Sequence, residues 1–163
     1  MRRLYWIISL LLGLDIVSKM AALRFIPKLQ WGEYPFGGVP IFSDFLGISF
    51  SLNTIFNTGA AWGIFSGHPG FLFILRVLIV IGLGVYLFLF HRPLTKLTSL
   101  WIIGVGALGN AIDYLLYGHV IDFFHFVLWG YSFPIFNFAD SYITLGVIGF
   151  LFVSRKSRAH LIV

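Results

Sequence analysis

Four apolar runs of roughly 20 residues, separated by charged or turn-rich connectors, constrain this chain more than anything else in it. They cover about residues 4–23, 70–90, 97–116 and 135–153. A helix of that length rises about 1.5 Å per residue and so crosses the ~30 Å hydrocarbon core of a bilayer. Reading the runs as core helices of a soluble protein fails on charge. Only 10% of the residues are charged and 59% are hydrophobic, with a mean hydropathy of +0.94. A soluble domain carries about 25% charged residues to coat its surface. The sequence therefore predicts an α-helical integral membrane protein, with four transmembrane helices in a single membrane domain over residues 1–163. The first run opens behind Arg2 and Arg3 as a secretory signal would. It is too long for a signal h-region and no small-residue cleavage site follows, so it is expected to be retained.

The bases give the orientation. Arg2, Arg3, Arg92, Lys96, Arg155, Lys156 and Arg158 account for seven of the eleven Lys and Arg residues, and all lie at the termini or in the 91–96 turn. Arg24 and Lys28 are the only bases in the other connections, while Lys19 and Arg76 lie in or near spans. The positive-inside rule then puts both termini in the cytoplasm and the 25–69 and 117–134 loops outside. Read this way, the net charge of +5 is a topology signal and not a nucleic-acid footprint, and no nucleic-acid partner is expected. Cysteine is absent, which removes disulfides, thiolate metal sites and cysteine nucleophiles from consideration. In the first outer loop, residues 31–38 are rich in Gly, Pro and aromatics, and Ile48–Asn53 alternates apolar and polar residues as a half-buried strand does. A small antiparallel sheet on the outer membrane surface is expected there.

Acids inside a membrane cost several kcal/mol unless paired or solvated, so each calls for a functional hypothesis. Asp140 lies ~20 Å up the fourth run from its cytoplasmic end and Asp113 ~26 Å up the third, with Asp122 just past the end of that run. Antiparallel packing brings Asp122 and Asp140 to one depth. Two carboxylates sharing a site split their pKa values, so that one keeps a proton while the other acts as a base on water. For each acid alone a structural role stands beside this one. Asn110 and Asp113, three apart on a helix, suit interhelical hydrogen bonding. Asp15 and Lys19, four apart, suit a neutralised pair, and Arg76 suits snorkelling to headgroups. His119, Asp122 and His125 have a ligand-like spacing but no HExxH motif, and no metal or cofactor is expected. Ser141 has no His-Asp partner nearby in sequence, and Gly104, Gly106 and Gly109 fit close helix packing better than a nucleotide loop. Two rival classes remain: a proton-coupled transporter, which would spread its acids through the bilayer depth, and a non-catalytic lipid- or lipoprotein-binding membrane protein.

Several motifs occur together and in order: Asp15-Ile-Val-Ser-Lys19, Asn57-Thr-Gly-Ala-Ala-Trp-Gly63, Gly106-Ala-Leu-Gly-Asn110-Ala-Ile-Asp113, Gly118-His-Val-Ile-Asp122-Phe and Phe133-Pro-Ile-Phe-Asn137-Phe-Ala-Asp140. In these the chain resembles the bacterial lipoprotein signal peptidases (signal peptidase II) over roughly residues 13–145. The resemblance implies four spans with a small extracytoplasmic sheet, a β-cradle. It also implies an aspartic dyad that cleaves the signal peptide from diacylglyceryl-modified prolipoproteins just before the lipidated Cys. The family's catalytic aspartates fall on Asp122 and Asp140, and its substrate-contacting polar residues on Asn57, Asn110 and Asn137. Asp15, Lys19 and Asp113 fall on other motif positions. Gly59, with Ala60 and Ala61, lets a loop backbone approach a peptide closely, and Trp62 belongs at an interface. Tyr114 stands where the family has a substrate-binding Arg, and Val105 where it usually has the first of two glycines. A phenol offers one neutral hydrogen bond in place of a charged fork. The expected partners are lipidated prolipoprotein signal peptides and membrane lipid, and the expected state is a monomer in the plasma membrane with its site at the outer face.

Overall fold

The computed structural model describes residues 2–59, 69–89 and 94–159. In chain order these form α1 (Arg2–Phe25), β1 (Val39–Phe45), β2 (Ile48–Asn57), α2 (Pro69–Leu89), α3 (Leu94–Tyr117), β3 (Val120–Leu128), β4 (Tyr131–Ser132) and α4 (Phe138–Ala159). Two stretches, Arg3–Phe25 and Thr98–Tyr117, are long and apolar enough to cross a membrane. Phe73–Tyr86 and Phe138–Ser154 are shorter apolar stretches of helix.

The helices are inside-out by the standards of a soluble protein. On α1, Trp6, Leu10, Val17 and Met20 are exposed, whereas Asp15, Lys19 and Ala22 are buried at i, i+4 and i+7 spacing. One face is thus apolar and exposed, and the other carries polar groups inward. Helices α3 and α4 approach closely through glycines, since lipid tails supply no hydrophobic drive between helices and backbone proximity must do so. A Cβ on Gly106 would run into the carbonyl oxygen of Ala139 and come within 2.8 Å of Ile143 Cγ1. One on Gly146 would come within 2.6 Å of Ile103 Cγ1.

The four strands form one antiparallel sheet in the order β1-β2-β3-β4. Each hairpin turns on two residues with positive φ, Leu46 (54°) and Gly47 (79°) in one, Trp129 (48°) and Gly130 (81°) in the other. That geometry matches the right-handed twist of the flanking strands. The two turns are tied together by the Trp129 N–H, which donates to the Gly47 carbonyl at 2.7 Å. The strand expected over Ile48–Asn53 is longer, reaching Asn57 after a register shift between Leu52 and Ile55. This shift sets Ile55 opposite Asp122 and Asn57 opposite Val120.

The fourth apolar run, read over 135–153, begins its helix only at Phe138. Its first residues lie against β3 instead: the Phe123 and Phe124 N–H groups both donate to the Phe136 carbonyl, at 3.1 and 2.8 Å. Asn137 then opens the helix with a reciprocal cap. Its Oδ1 accepts from the Asp140 N–H at 2.9 Å, and Asp140 Oδ2 accepts from the Asn137 N–H at 3.2 Å. This is the arrangement of a capping box, with Asp in the place of the usual Glu or Gln.

Gly106→Ala is expected to destabilise the protein by roughly 1–3 kcal/mol through overpacking. Gly82→Ala should be neutral within about 0.5 kcal/mol, because nothing lies within 4 Å of a Cβ there. Thermal unfolding of the two detergent-solubilised variants against the parent checks this.

Candidate functional site

Asp122 stands third on β3 and Asp140 in the first turn of α4. Both line one cavity of about 760 Å³, together with Asn57, Gly59 and Asn110. Its remaining wall is mostly apolar, built from Val120, Phe133, Ile135, Phe136, Ile143 and Leu145 among others. The cavity therefore offers two acids at the edge of an apolar surface.

Amide groups hold both acids. Asn57 Nδ2 donates to Asp122 Oδ2 at 2.8 Å, and Asn137 Nδ2 donates to Asp122 Oδ1 at 2.7 Å. Asn110 Nδ2 donates to Asp140 Oδ1 at 2.8 Å, while the Asn137 N–H serves Oδ2. Asn137, fully buried, thus touches both acids from the junction between strand and helix. Asn110 Oδ1 also accepts from Asn137 Nδ2 at 3.1 Å. Burial, and after it the charge of Asp140, push the Asp122 carboxyl up to about 7, against the smaller opposing effect of the Asn57 hydrogen bond. A group so displaced in a cavity marks a candidate site.

The other residues singled out by sequence fall into three places. Asp15, Lys19 and Asp113 are buried together behind the cavity: Lys19 Nζ lies 2.8 Å from Asp15 Oδ2 and 2.9 Å from Asp113 Oδ2. Tyr114 is turned to α2, its ring stacked on Phe73 at 4.8 Å and 17°, and it does not contribute to the cavity lining. His119 stacks on Phe56 at 4.2 Å. His125 Nε2 meets Ser132 Oγ at 2.8 Å and its ring lies 4.8 Å from Phe36, with burial lowering its pKa. The structure thus separates the His119, Asp122 and His125 trio, and among the described residues no three His, Cys, Asp or Glu gather as metal ligands. Ser141 Oγ donates to the Asn137 carbonyl at 3.1 Å. Ala60, Ala61, Trp62, Gly63, His91, Arg92 and the side chains of Arg76, Lys96, Arg155, Lys156 and Arg158 lie outside the described residues.

The sequence model of Signal peptidase (SPase) II matches residues 7–155. The chain belongs to the signal peptidase II family. Among its relatives, the lipoprotein signal peptidase of Chlamydia pneumoniae is 37% identical over 145 residues, covering 87% of this chain and 84% of that protein. That of Staphylococcus aureus is 48% identical over 106 residues, covering 64% of each. A solved bacterial membrane enzyme, determined by the in meso method at 2.3 Å resolution, superposes with a TM-score of 0.82 at 30% identity, covering 98% of this chain and 92% of that one. A second such enzyme, at 1.9 Å, gives a TM-score of 0.75 at 31% identity, covering 94% and 92%. With these likenesses and its apolar helices, this signal peptidase II family member is a membrane enzyme, helical with a small antiparallel sheet.

Sequence reasoning missed the Phe133–Phe136 segment, which walls the cavity instead of opening a membrane span. The signals were present: Pro134 biases the residue before it away from helix, and the Asn137-x-x-Asp140 spacing announces a helix start at Phe138. Asn137→Ala removes that cap and the bond to Asp122 Oδ1 together. It is expected to cost roughly 1–3 kcal/mol, measured as a lower thermal midpoint, with the protein still inserted.

Proposed function

We propose that this peptidase is of the aspartic type, with Asp122 and Asp140 as its dyad, and that it removes the signal peptide from diacylglyceryl-modified prolipoproteins before the lipidated Cys. The observation that carries the reading is the convergence of two buried carboxylates on one apolar-walled cavity. The pair carries one proton. Asp122, raised to about 7 by burial and by its neighbour's charge, is the carboxyl that holds it, and Asp140 is the base. Asp140 takes a proton from a water whose oxygen attacks the scissile carbonyl carbon. Asp122 gives its proton to the developing oxyanion. Collapse of the tetrahedral intermediate breaks the C–N bond: Asp140 gives the proton it gained to the leaving amine, and one hydroxyl of the gem-diol returns its proton to Asp122 as the carboxylic acid product forms. Asn57, Gly59, Asn110 and Asn137 line or brace the place where the peptide backbone lies, and the apolar wall suits signal-peptide side chains and acyl chains. That lipoprotein signal peptidases are relatives over most of their length supports the substrate class. Tyr114, on its Phe73 stack, takes the position of the family Arg without its charge; substrate contact by its hydroxyl belongs to the same reading.

The enzyme works as a monomer with four spans, both termini in the cytoplasm and the dyad at the outer face. The distribution of basic residues and the position of the strands in sequence, β1 and β2 between α1 and α2 and β3 and β4 between α3 and α4, support that placement.

Asp122→Asn and Asp140→Asn should each abolish cleavage of a purified lipidated prolipoprotein while leaving the protein inserted. Turnover by either variant at more than about 1% of the parent rate refutes the dyad. Cleavage by the parent should fall as pH rises through about 7, because the pair then becomes a dianion without its acid. The linkage sign follows: the folded-state pKa of Asp122 is raised, so its contribution to stability is full below the ordinary carboxyl range and is lost as pH rises through about 7. The thermal midpoint of Asp122→Asn relative to the parent should consequently rise as pH goes from about 4 to 8, since the variant has no carboxyl to ionise there. Because the chain has no cysteine, single cysteines report its topology cleanly. One at Tyr131 should label from outside and one at His91 only from the cytoplasm; the reverse pattern overturns the orientation.

A further inference from the structure

Each dyad position is preceded by a residue whose backbone N–H is held by a buried carboxylate. Ala139 N–H, one residue before Asp140, donates to Asp15 Oδ1 at 2.9 Å. Ile121 N–H, one residue before Asp122, donates to Asp113 Oδ2 at 3.2 Å. Both carboxylates meet on one cation, Lys19 Nζ, at 2.8 and 2.9 Å. The same ammonium donates to Asn110 Oδ1 at 3.0 Å, which leaves the Asn110 amide nitrogen facing Asp140 Oδ1 at 2.8 Å. An ammonium has three N–H donors and no acceptor. Here all three are taken, and each partner touches a dyad residue or the peptide unit before one.

We propose that Lys19 is the positioning residue of this peptidase: it fixes the spacing and orientation of the Asp122–Asp140 pair, through Asp113 to β3 and through Asp15 and Asn110 to α4. The proposal rests on the dyad reading above. A plain charge-neutralising pair needs one carboxylate, and Asp15 four residues away supplies it. Gathering a second carboxylate and an amide around a cation only 1% exposed goes beyond neutralisation. The backbone of α3 accommodates the arrangement, since a Cβ on Gly109 would run into Asp15 Oδ2. Lys19 does not line the cavity, so it acts on the pair and not on the substrate. It also acts by charge. The charged groups around the pair among the described residues are Asp15 and Lys19 from α1 and Asp113 from α3, with Asp122 on β3 and Asp140 on α4. Lys19 is their only cation.

The test compares the full-length parent with Lys19→Met, Lys19→Arg, Asp113→Asn and Asp140→Asn, on a lipidated prolipoprotein. Lys19→Met should lower kcat about 100-fold, the effect of a small misplacement of reacting groups, with KM within about twofold. Asp113→Asn, which keeps an oxygen for the Ile121 N–H, should lower kcat about tenfold. The alkaline limb of the pH–rate profile should move up in Lys19→Met, where a cation is lost, and down in Asp113→Asn, where an anion is lost. Lys19→Arg should return the limb towards the parent's position. Opposite shifts are beyond the reach of a merely structural role. A parent-like kcat in Lys19→Met, or losses that match the unfolded fraction with an unmoved limb, overturn the proposal. Should Lys19→Met fail to accumulate, Asp113→Asn decides alone: parent-like kcat and an unmoved limb refute it. An active Asp140→Asn would instead sink the dyad itself, whereas an inactive one beside a normal Lys19→Met sinks only the positioning role.

Discussion

A lysine ammonium buried in an apolar molecule leaves few ways to arrange the helices around it. Lys19 is 1% exposed, and an unpaired charge at such a place costs several kcal/mol. Its pairing with Asp15 one turn away settles which face of α1 turns inward, and Trp6, Leu10 and Val17 are left on the exposed side. Asp113 and Asn110 must then come to Lys19, which fixes the rotation of α3. The first turn of α4 follows, because the Ala139 N–H ends on Asp15. The purely apolar core is correspondingly small, with Ala22, Ile121 and Phe123 at its centre. Polar contacts and close backbone approach do the work that hydrophobic burial does in a soluble domain.

This division explains what the sequence made legible. Long apolar runs report helices directly, because the few polar residues turned inward barely dilute the signal, and α1 and α3 lie almost where hydropathy put them. Alternation likewise gave away β2, although its most buried residues over Ile48–Asn53 are the polar Ser51 and Asn53, while Ile48, Phe50 and Leu52 are only half-buried. Strand β3 gave no such sign. Its residues Val120–Phe123 are all buried, Asp122 among them, so both faces are covered and the period of two vanishes. It reads only as part of an outer loop, and the spacing of His119, Asp122 and His125 does not bring them to one face of a strand. Residues three apart share a face on a helix but face opposite sides of a strand.

The residues of the proposed site could be named from the sequence, but their connections could not. Asp122, Asp140, Asn57, Asn110 and Asn137 could all be named from motifs, but which amide holds which carboxylate depends on rotations that no spacing encodes. Tyr114 shows the same limit from the other side. The resemblance puts it at the position of a substrate-binding Arg but says nothing of its neighbour on α2, because on a helix successive residues point about 100° apart. Asp113 turns in to Lys19, and Tyr114 consequently turns across to Phe73 on α2.

The cap on α4 carries this interdependence furthest. Asn137 and Asp140 are the two ends of a reciprocal cap, an ordinary device for starting a helix. The same Asn137 amide nitrogen reaches Asp122 at 2.7 Å, so one side chain both begins α4 and joins its first acid to the strand. A carboxylate brought in on a flexible loop would relax away from a second buried carboxylate, because repulsion and desolvation both favour separation. Asp140 cannot do so without unmaking the helix start, and Asp122 is held within a strand paired to β2. The strain of keeping the two acids together is therefore borne by the helix cap and the sheet. This is why Asp122 can sit at about 7 instead of swinging out to solvent and returning to an ordinary carboxyl.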